Sequence, residues 1–227
     1  MRQTRGHGDY LLTTKLVSMG LSYLSNSGIV DIAQPLLNRL AEVSGELVRL
    51  SVVDGERLTW VARAQGARQG LRYDPDMGSD ARLSCSSSGW AFLSTLSDDA
   101  AMALVAKQGL GMPEQFGPAA PANLQAVMAA VTATRQRGYS ITTDTYTAGL
   151  SAMSAPVRFA GQSAFGVLTI AGPTVRFTAE KMTELAPELL STAQQLAASS
   201  GASPFFSLTA ETGTALPADG RKPIYAV

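Results

Sequence analysis

The sequence predicts an α+β fold in which helices pack on an antiparallel sheet of about six strands. Strand-like runs occur in adjacent pairs joined by short turns, and these hairpins outnumber the βαβ crossovers that a parallel sheet needs. The elements follow the order helices, hairpin, helices, hairpin and a final helix. A chain of 227 residues is long enough to bury one substantial core, so we expect one domain with appendages.

The first clear helix is predicted over 28–45, where apolar residues recur every three or four positions. Val43 is the last of these positions, and Gly45 is a suitable C-terminal stop. Pro35 lies inside the stretch, so the helix either starts there or kinks there.

The strands are predicted from β-rich runs separated by turn residues. Two such runs in 46–64 flank Asp54 and Gly55, and Asp-Gly between β-rich runs is typical of a hairpin turn. A third run, 70–74, extends the sheet in this interpretation. Further strand-like runs lie at 139–144 and at 151–172, the latter with a turn at 160–162.

Four more helices complete the predicted pattern. They lie at about 87–95, 97–107, 122–138 and 178–197. Ser97 is a suitable N-cap because its hydroxyl can accept from a free backbone N–H of the first turn. Gly138 follows basic residues and is a suitable C-cap.

Composition and charge exclude several classes of protein. Eighteen basic residues balance eighteen acidic ones, so no broad nucleic-acid-binding face is indicated. No apolar run is long enough to span a membrane, and the basic N-terminus lacks the apolar stretch of a signal peptide. The single cysteine, Cys85, excludes an internal disulfide and a cysteine-based zinc site. We therefore expect a cytoplasmic protein without metal or cofactor.

The single histidine argues against histidine-dependent catalysis. His7 lies between glycines in a polar start, whereas Ser–His–Asp and Cys–His mechanisms need a histidine held beside the nucleophile. An enzyme would therefore have to use serine or carboxylates without histidine. No pair of acids has convincing spacing, so we expect no enzyme activity.

The stretch LSCSSSGWAFL, 83–93, places a thiol and four hydroxyls ahead of a helix, which admits a nucleophile, a phosphate cradle or the mouth of a pocket. The strings GxxxxGK[ST] of a P-loop and GxSxG of a nucleophile elbow are both absent from it. Cys85 is more typical of a small buried residue than of a reactive thiol. A binding role is therefore favoured over a catalytic one.

A helix start has unpaired N–H groups and a partial positive charge that favour an anion such as a carboxylate. Ser86 or Ser87 is the expected N-cap, and the N–H groups of Ser87 and Ser88 are the expected anion donors. Gly89 would let the backbone and a ligand approach closely. Plain capping is the simpler alternative, and the two roles are compatible.

Four segments in order resemble one known family, the isocitrate lyase regulator (IclR) family of bacterial transcription regulators, in its effector-binding domain. The segments are DIAQPLLNRLAEVSGELVRLSVVDGERLTWVAR at 31–63, MGSDARLSCSSSGWAFLS at 77–94, RGYSITTDTYTAGLSAMSAPV at 137–157 and GVLTIAGPTVRFT at 166–178.

The resemblance implies a GAF/PAS-like effector-binding domain at 27–198, after a disordered start, wing remnant and linker helix at 1–26 and before a tail at 199–227. Such proteins begin with a winged helix-turn-helix domain, and only the end of its wing is similar to anything in this chain. We therefore expect the chain to reach operator DNA only through a helix-turn-helix domain absent from this sequence, to form a homodimer or homotetramer, and to bind no membrane.

The resemblance also implies a small-molecule pocket beside Ser86, Ser87, Ser88 and Gly89. The other implied ligand-binding positions are Tyr73, Ala81, Thr142, Leu150, Ala152, Thr169 and Ala171. Thr142 stands where relatives often have an acid, and Ala152 where some have a cysteine. These departures imply a metal-free pocket and a small organic acid effector with an apolar or aromatic body, not a very small keto acid.

Several alternatives remain open at this point. Tyr146 and Asp144 either line the pocket rim or belong to an exposed turn. The chain is a sensing domain that regulates transcription in the leading interpretation. A standalone binding module and a histidine-independent enzyme are the alternatives.

Overall fold

The computed structural model describes residues 32–75 and 78–199, together with 2–3, 10–11, 14–15 and 18. Its elements are β1 Arg2–Gln3, β2 Tyr10–Leu11, α1 Gln34–Ser44, β3 Leu47–Asp54, β4 Arg57–Gln65, α2 Ser87–Leu93, α3 Asp98–Gln108, α4 Leu124–Arg137, β5 Ser140–Thr143, β6 Leu150–Val157, β7 Gly166–Pro173 and α5 Ala179–Ser199. His7, most of the expected linker helix and the tail after 199 lie outside the described residues.

The main sheet has five strands in the order β4-β3-β7-β6-β5, and every neighbouring pair is antiparallel. Helices pack on both faces of this sheet, which confirms the predicted α+β class. The short strands β1 and β2 pair with each other in a separate two-stranded ribbon. The first of them falls within the start that the sequence predicts to be disordered.

The two faces of the sheet bury different kinds of side chain. On one face Val48, Leu50 and Val52 of β3 form the main core with apolar residues of α1 and α5. The other face, which we call the cavity face, carries Arg49 and Ser51 of the same strand because side chains alternate along β-structure. Helices α2, α3 and α4 cover much of the cavity face.

A β-bulge between β3 and β4 sets which residues reach the cavity face. Leu50 lies opposite Ala62 and Ser51 lies opposite Trp60, so β4 carries one extra residue at this point. The bulge reverses the alternation of β4. As a result Trp60 and Arg63, three positions apart, both join Arg49 on the cavity face.

The sheet prediction was wrong at 70–74, which forms no strand. Gly70 has a φ of +76°, which turns the chain, and the Tyr73 carbonyl accepts from the Gln65 amide at 3.0 Å instead of joining a ladder. The main sheet therefore has five strands instead of six. Val43 is also 50% exposed, because it lies beside the buried face of α1 instead of on it.

The turn and cap predictions are confirmed. Helix α1 starts next to Pro35 instead of kinking, and Gly45 ends it with a φ of +71°. Residues 54 and 57 close the first hairpin, as Asp-Gly predicts. Ser97 caps α3 through its hydroxyl, and Gly138 ends α4 in the left-handed region.

Candidate functional site

A cavity of about 320 Å³ lies between the start of α2 and the cavity face of the sheet. Its lining consists of Arg49, Trp60, Ser86, Ser87, Ser88, Thr142, Tyr146, Leu150, Ala152, Thr169 and Ala171. This volume includes open solvent at the mouth of the cavity, so the space enclosed by the walls is smaller. Apolar walls with a few converging polar groups are typical of small-molecule sites in proteins.

Most of the positions that the sequence predicts for a pocket are brought together here. Three come from the start of α2, namely Ser86, Ser87 and Ser88. The others come from β5, β6 and β7, namely Thr142, Leu150, Ala152, Thr169 and Ala171. Tyr146 also lines the cavity, whereas Asp144 forms a turn in which its carboxylate accepts from the Gly149 N–H at 2.6 Å.

Three predicted positions do not line the cavity. Ala81 is fully buried in the core under α2, where its N–H donates to the Leu58 carbonyl at 2.8 Å. A Cβ on Gly89 would lie 2.5 Å from the Leu83 backbone, so packing by itself requires a glycine at this position. Tyr73 packs against Leu150, Ala152 and Ala171, and its hydroxyl forms a hydrogen bond with the Arg49 side chain.

Ser86 is the N-cap of α2, one of the two caps that the sequence predicts. Its hydroxyl accepts from the Gly89 N–H at 3.0 Å and donates to the Arg82 carbonyl at 2.7 Å. Ser88 donates to the Ser86 hydroxyl at 3.3 Å. The serine segment is therefore held by its own hydrogen bonds.

A chain of hydroxyl groups joins the start of α2 to the sheet. The Ser154 hydroxyl lies 2.8 Å from the hydroxyls of both Ser87 and Thr169. Ser140 donates to the Ser87 carbonyl at 2.7 Å. Hydrogen bonds within such a buried network rigidify the elements that they join, here α2, β5, β6 and β7.

The thiol beside the serines is not activated. Cys85 is fully buried, and this burial raises the pKa of its thiol to about 12. Arg82 and Ser84 oppose this effect only in part. A nucleophilic thiol needs a depressed pKa, so the site lacks the chemistry of a cysteine enzyme.

Sequence reasoning missed Arg49 and Trp60. Arg49 is 4% exposed, and its guanidinium carbon lies 3.9 Å from the centre of the Trp60 ring. Burial lowers the pKa of Arg49, although a guanidinium keeps its charge at neutral pH. The available signal was a lone charge in the apolar run LVRLSVV, because an arginine in a buried strand is rare unless it has a partner.

Arg49 differs from the other arginines of the main sheet in having no acidic partner among the residues that the structure describes. Within the described residues its Nε–H and Nη1–H groups donate to no acceptor. By contrast Arg63, directly opposite it on β4, pairs with Asp74 at 2.6 Å. Arg57 pairs with Asp80 at 3.3 Å.

Two further features bear on what the domain can hold. No cluster of three or more metal-ligating side chains occurs in the part of the chain that the structure describes. Among the same residues, no helix has the length and apolar character needed to cross a membrane.

A family model described as the bacterial transcriptional regulator IclR C-terminal matches residues 21–198. The chain belongs to the IclR family. It is 27% identical over 197 residues to the acetate operon repressor of Salmonella typhimurium, covering 86% of this chain and 71% of that protein. It is 25% identical to the transcriptional repressor IclR of Escherichia coli over the same shares of both chains.

Solved structures of IclR-type proteins share the fold. The IclR protein of Thermotoga maritima aligns with a TM-score of 0.72 at 21% identity, covering 85% of this chain and 76% of that one. The inducer-binding domain of the PobR transcription factor from Acinetobacter, solved as a double mutant with 3-hydroxybenzoic acid, aligns with a TM-score of 0.64 at 24% identity. That alignment covers 74% of this chain and 96% of the PobR domain.

Proposed function

We propose that residues 27–198 form the effector-binding domain of a transcription regulator and that the cavity binds a small organic acid. The observation that carries the proposal is the cavity itself, enclosed by α2 on one side and by strands β3 to β7 on the other. Its walls combine the small apolar side chains of Ala152 and Ala171 with hydroxyl groups and one guanidinium. This mixture suits a ligand with an apolar body and an anionic end.

The PobR inducer-binding domain supports an aromatic or aliphatic acid as the ligand class. That protein was solved with 3-hydroxybenzoic acid, an aromatic carboxylate, on a fold that this chain shares. The family resemblance implies that Ala152 and Thr142 stand where some relatives have a cysteine and an acid. The ligand is accordingly larger and less polar than glyoxylate, and it needs no metal.

Effector binding acts on transcription through a shift between arrangements of the oligomer. A ligand in the cavity contacts both α2 and the sheet, so it favours whichever arrangement of these elements binds it more tightly. In this proposal the oligomer is a homodimer or homotetramer in the cytoplasm. A winged helix-turn-helix domain reads the operator DNA.

Titration calorimetry with benzoate, 3-hydroxybenzoate, hexanoate, pyruvate and glyoxylate tests the ligand class. We expect the first three acids to bind more tightly than the last two. Ala152→Leu fills the cavity and should weaken the binding of the best acid at least about tenfold. Ala129→Leu, on the exposed side of α4, is the matched control and should leave affinity unchanged.

Two results would overturn this proposal. One is binding of the glyoxylate-sized acids alone. The other is full affinity in a folded Ala152→Leu protein, because the acid would then lie outside the cavity. Turnover of ester or amide substrates, lost in Ser87→Ala, would favour an enzyme instead.

A further inference from the structure

We infer that Arg49, stacked on the face of Trp60, binds the carboxylate of the effector. This inference rests on the proposed function and names the group that recognises the acid. It also replaces the sequence-based expectation that the start of α2 binds the anion.

The first argument is the burial of a charge that has no anionic partner among the described residues. Arg49 is 96% buried, since only 4% of it is exposed, and it makes no ion pair with any described carboxylate. Removing a guanidinium from water is strongly unfavourable unless an anion or several acceptors compensate it. The Trp60 ring offsets part of this cost through a cation–π contact. Arg49 lines the cavity, and its Nε–H and Nη1–H donors are unpaired within the described residues.

The second argument is that the other unpaired polar atoms lie beside Arg49. Within the described residues, buried side-chain atoms without a hydrogen-bond partner are Arg49 Nε, Arg49 Nη1, Ser51 Oγ and Trp60 Nε1. Arg49 and Ser51 lie two positions apart on β3, and Ser51 lies directly opposite Trp60. All four atoms can donate a hydrogen bond. A concentration of unused donors in one corner of the cavity face fits a ligand with oxygen acceptors.

The side chains at the start of α2 lack these properties. The hydroxyl of Ser86 already caps the helix, and Ser87 and Ser88 both have hydroxyl partners. Helix α2 has seven residues, too short for a strong helix dipole. The hydroxyls there can still take a second hydrogen bond from a ligand, which suits a hydroxyl or carbonyl group on its body.

The charge of the site indicates a monoanion. Arg63 is the neighbouring cation on the cavity face, and Asp74 already neutralises it. Arg82, next along the serine segment, donates to the Gln108 carbonyl and lies 5.6 Å from the Phe116 ring. One unpaired guanidinium matches one carboxylate, whereas a phosphate dianion would leave a buried negative charge uncompensated.

The experiment compares Arg49→Met and Arg49→Lys with Arg63→Gln in the full chain. Acetate is the first probe because it carries a carboxylate with almost no body, and benzoate, benzamide and inorganic phosphate follow. In the wild type, acetate should shift the Arg49 Nε–H signal in the NMR spectrum in a saturable way. Arg49→Met should weaken benzoate binding about 100-fold, and Arg49→Lys about tenfold because lysine lacks the planar fork.

The controls separate a direct contact from a general effect of charge and from misfolding. Arg63→Gln removes a nearby positive charge outside the cavity lining, so benzoate affinity should change less than about threefold. Benzamide, which is neutral, and phosphate should bind much more weakly than benzoate to the wild type. Ligand-free Arg49→Met should unfold at the same temperature as the wild type or higher, because an unpaired buried charge is removed.

Each contrary result has a separate meaning. Benzoate binding that Ala152→Leu blocks but Arg49→Met leaves intact would overturn this inference and keep the proposed function. An Arg49 signal that acetate does not move would also overturn it, even where a neutral compound fills the cavity. A lower unfolding temperature in ligand-free Arg49→Met would show that Arg49 stabilises the fold, which contradicts this inference. Acid binding that Ala152→Leu does not weaken would instead overturn the proposed function.

Discussion

The cavity has two polar sides, a serine side and an arginine side, which differ in whether their side chains have hydrogen-bond partners. On the serine side the hydroxyls of Ser86, Ser87 and Ser88 are all engaged with partners inside the protein. On the arginine side Arg49 and Trp60 present donors that have no partner within the described residues. Both sides are buried, so exposure to solvent does not explain the difference.

This difference distinguishes the polar groups that support the site from those that are free to bind a ligand. A satisfied buried network fixes the geometry of the elements that it joins. A buried donor without an acceptor costs roughly 1–3 kcal/mol of stability. Such a donor in a binding site is explained when a bound ligand supplies the missing acceptor. In our inference the serine side, which dominates the sequence as a motif, mainly supports the site. The arginine side, which is a single letter in a strand, is the proposed recognition element.

The closed state of the serine side can be tested at Cys85, where we expect the largest effect. With the pKa of its thiol raised to about 12, very little thiolate is present at pH 8. Iodoacetamide should therefore label the native protein at least roughly 1,000-fold more slowly than the protein in urea. Mass spectrometry reads the result unambiguously, because Cys85 is the only cysteine in the chain.

The same thiol has a defined effect on stability against pH. Its pKa is higher in the folded state than in the unfolded state, so the folded state holds the proton more tightly. The stabilising contribution is complete below about pH 9 and is lost as the pH rises toward 12. Rapid native labelling at pH 8 would show that the serine side opens to solvent.

Ser154→Ala tests the hydroxyl network and should have the next largest effect. The change leaves the hydroxyls of both Ser87 and Thr169 without the partner that they have at 2.8 Å. We expect the free energy of unfolding to fall by about 2 kcal/mol in urea denaturation. Thr143→Ala is the control, since it removes a longer, part-buried contact of 3.4 Å between the exposed Thr143 and Ser151 and should cost less than about 0.5 kcal/mol. Equal losses in the two variants would contradict the network's role.

The sequence predicts those features of the structure that depend on residues close together in the chain. The hairpin at Asp54 and Gly55 and the cap at Ser97 depend on neighbours in the chain, and both were predicted correctly. The side chain that Gly89 lacks would meet Leu83, a contact set by the path of the loop before α2. The spacing of residues in the sequence does not reveal the path of this loop. The sequence therefore predicted a ligand role for Gly89 and missed its packing role.

The arginine side was missed for the same reason. The contact between Arg49 and Trp60 depends on the β-bulge, which shifts β4 by one residue and is not visible in the alternation of either strand. Whether Arg49 has an acidic partner depends on the residues that the surrounding elements bring near it. Asp74, for example, pairs with Arg63 instead. The family resemblance supplied positions on α2 and β5 to β7, yet it supplied none on β3 or β4.

The two tryptophans of the chain give the finest test of the comparison, with the smallest effects. The indole N–H of Trp90, on the serine side, donates to the Ser84 carbonyl at 2.9 Å, whereas that of Trp60 has no partner within the described residues. Trp90→Phe should lower the free energy of unfolding by about 1 kcal/mol and leave benzoate affinity unchanged. Trp60→Phe should instead weaken benzoate binding about threefold to fivefold, because phenylalanine is a poorer platform for Arg49 and offers no N–H. Urea denaturation and calorimetry on both variants measure the two effects side by side. If stability and affinity fell together in each variant, the division between a supporting side and a recognising side would be wrong, since one structural change would then account for both.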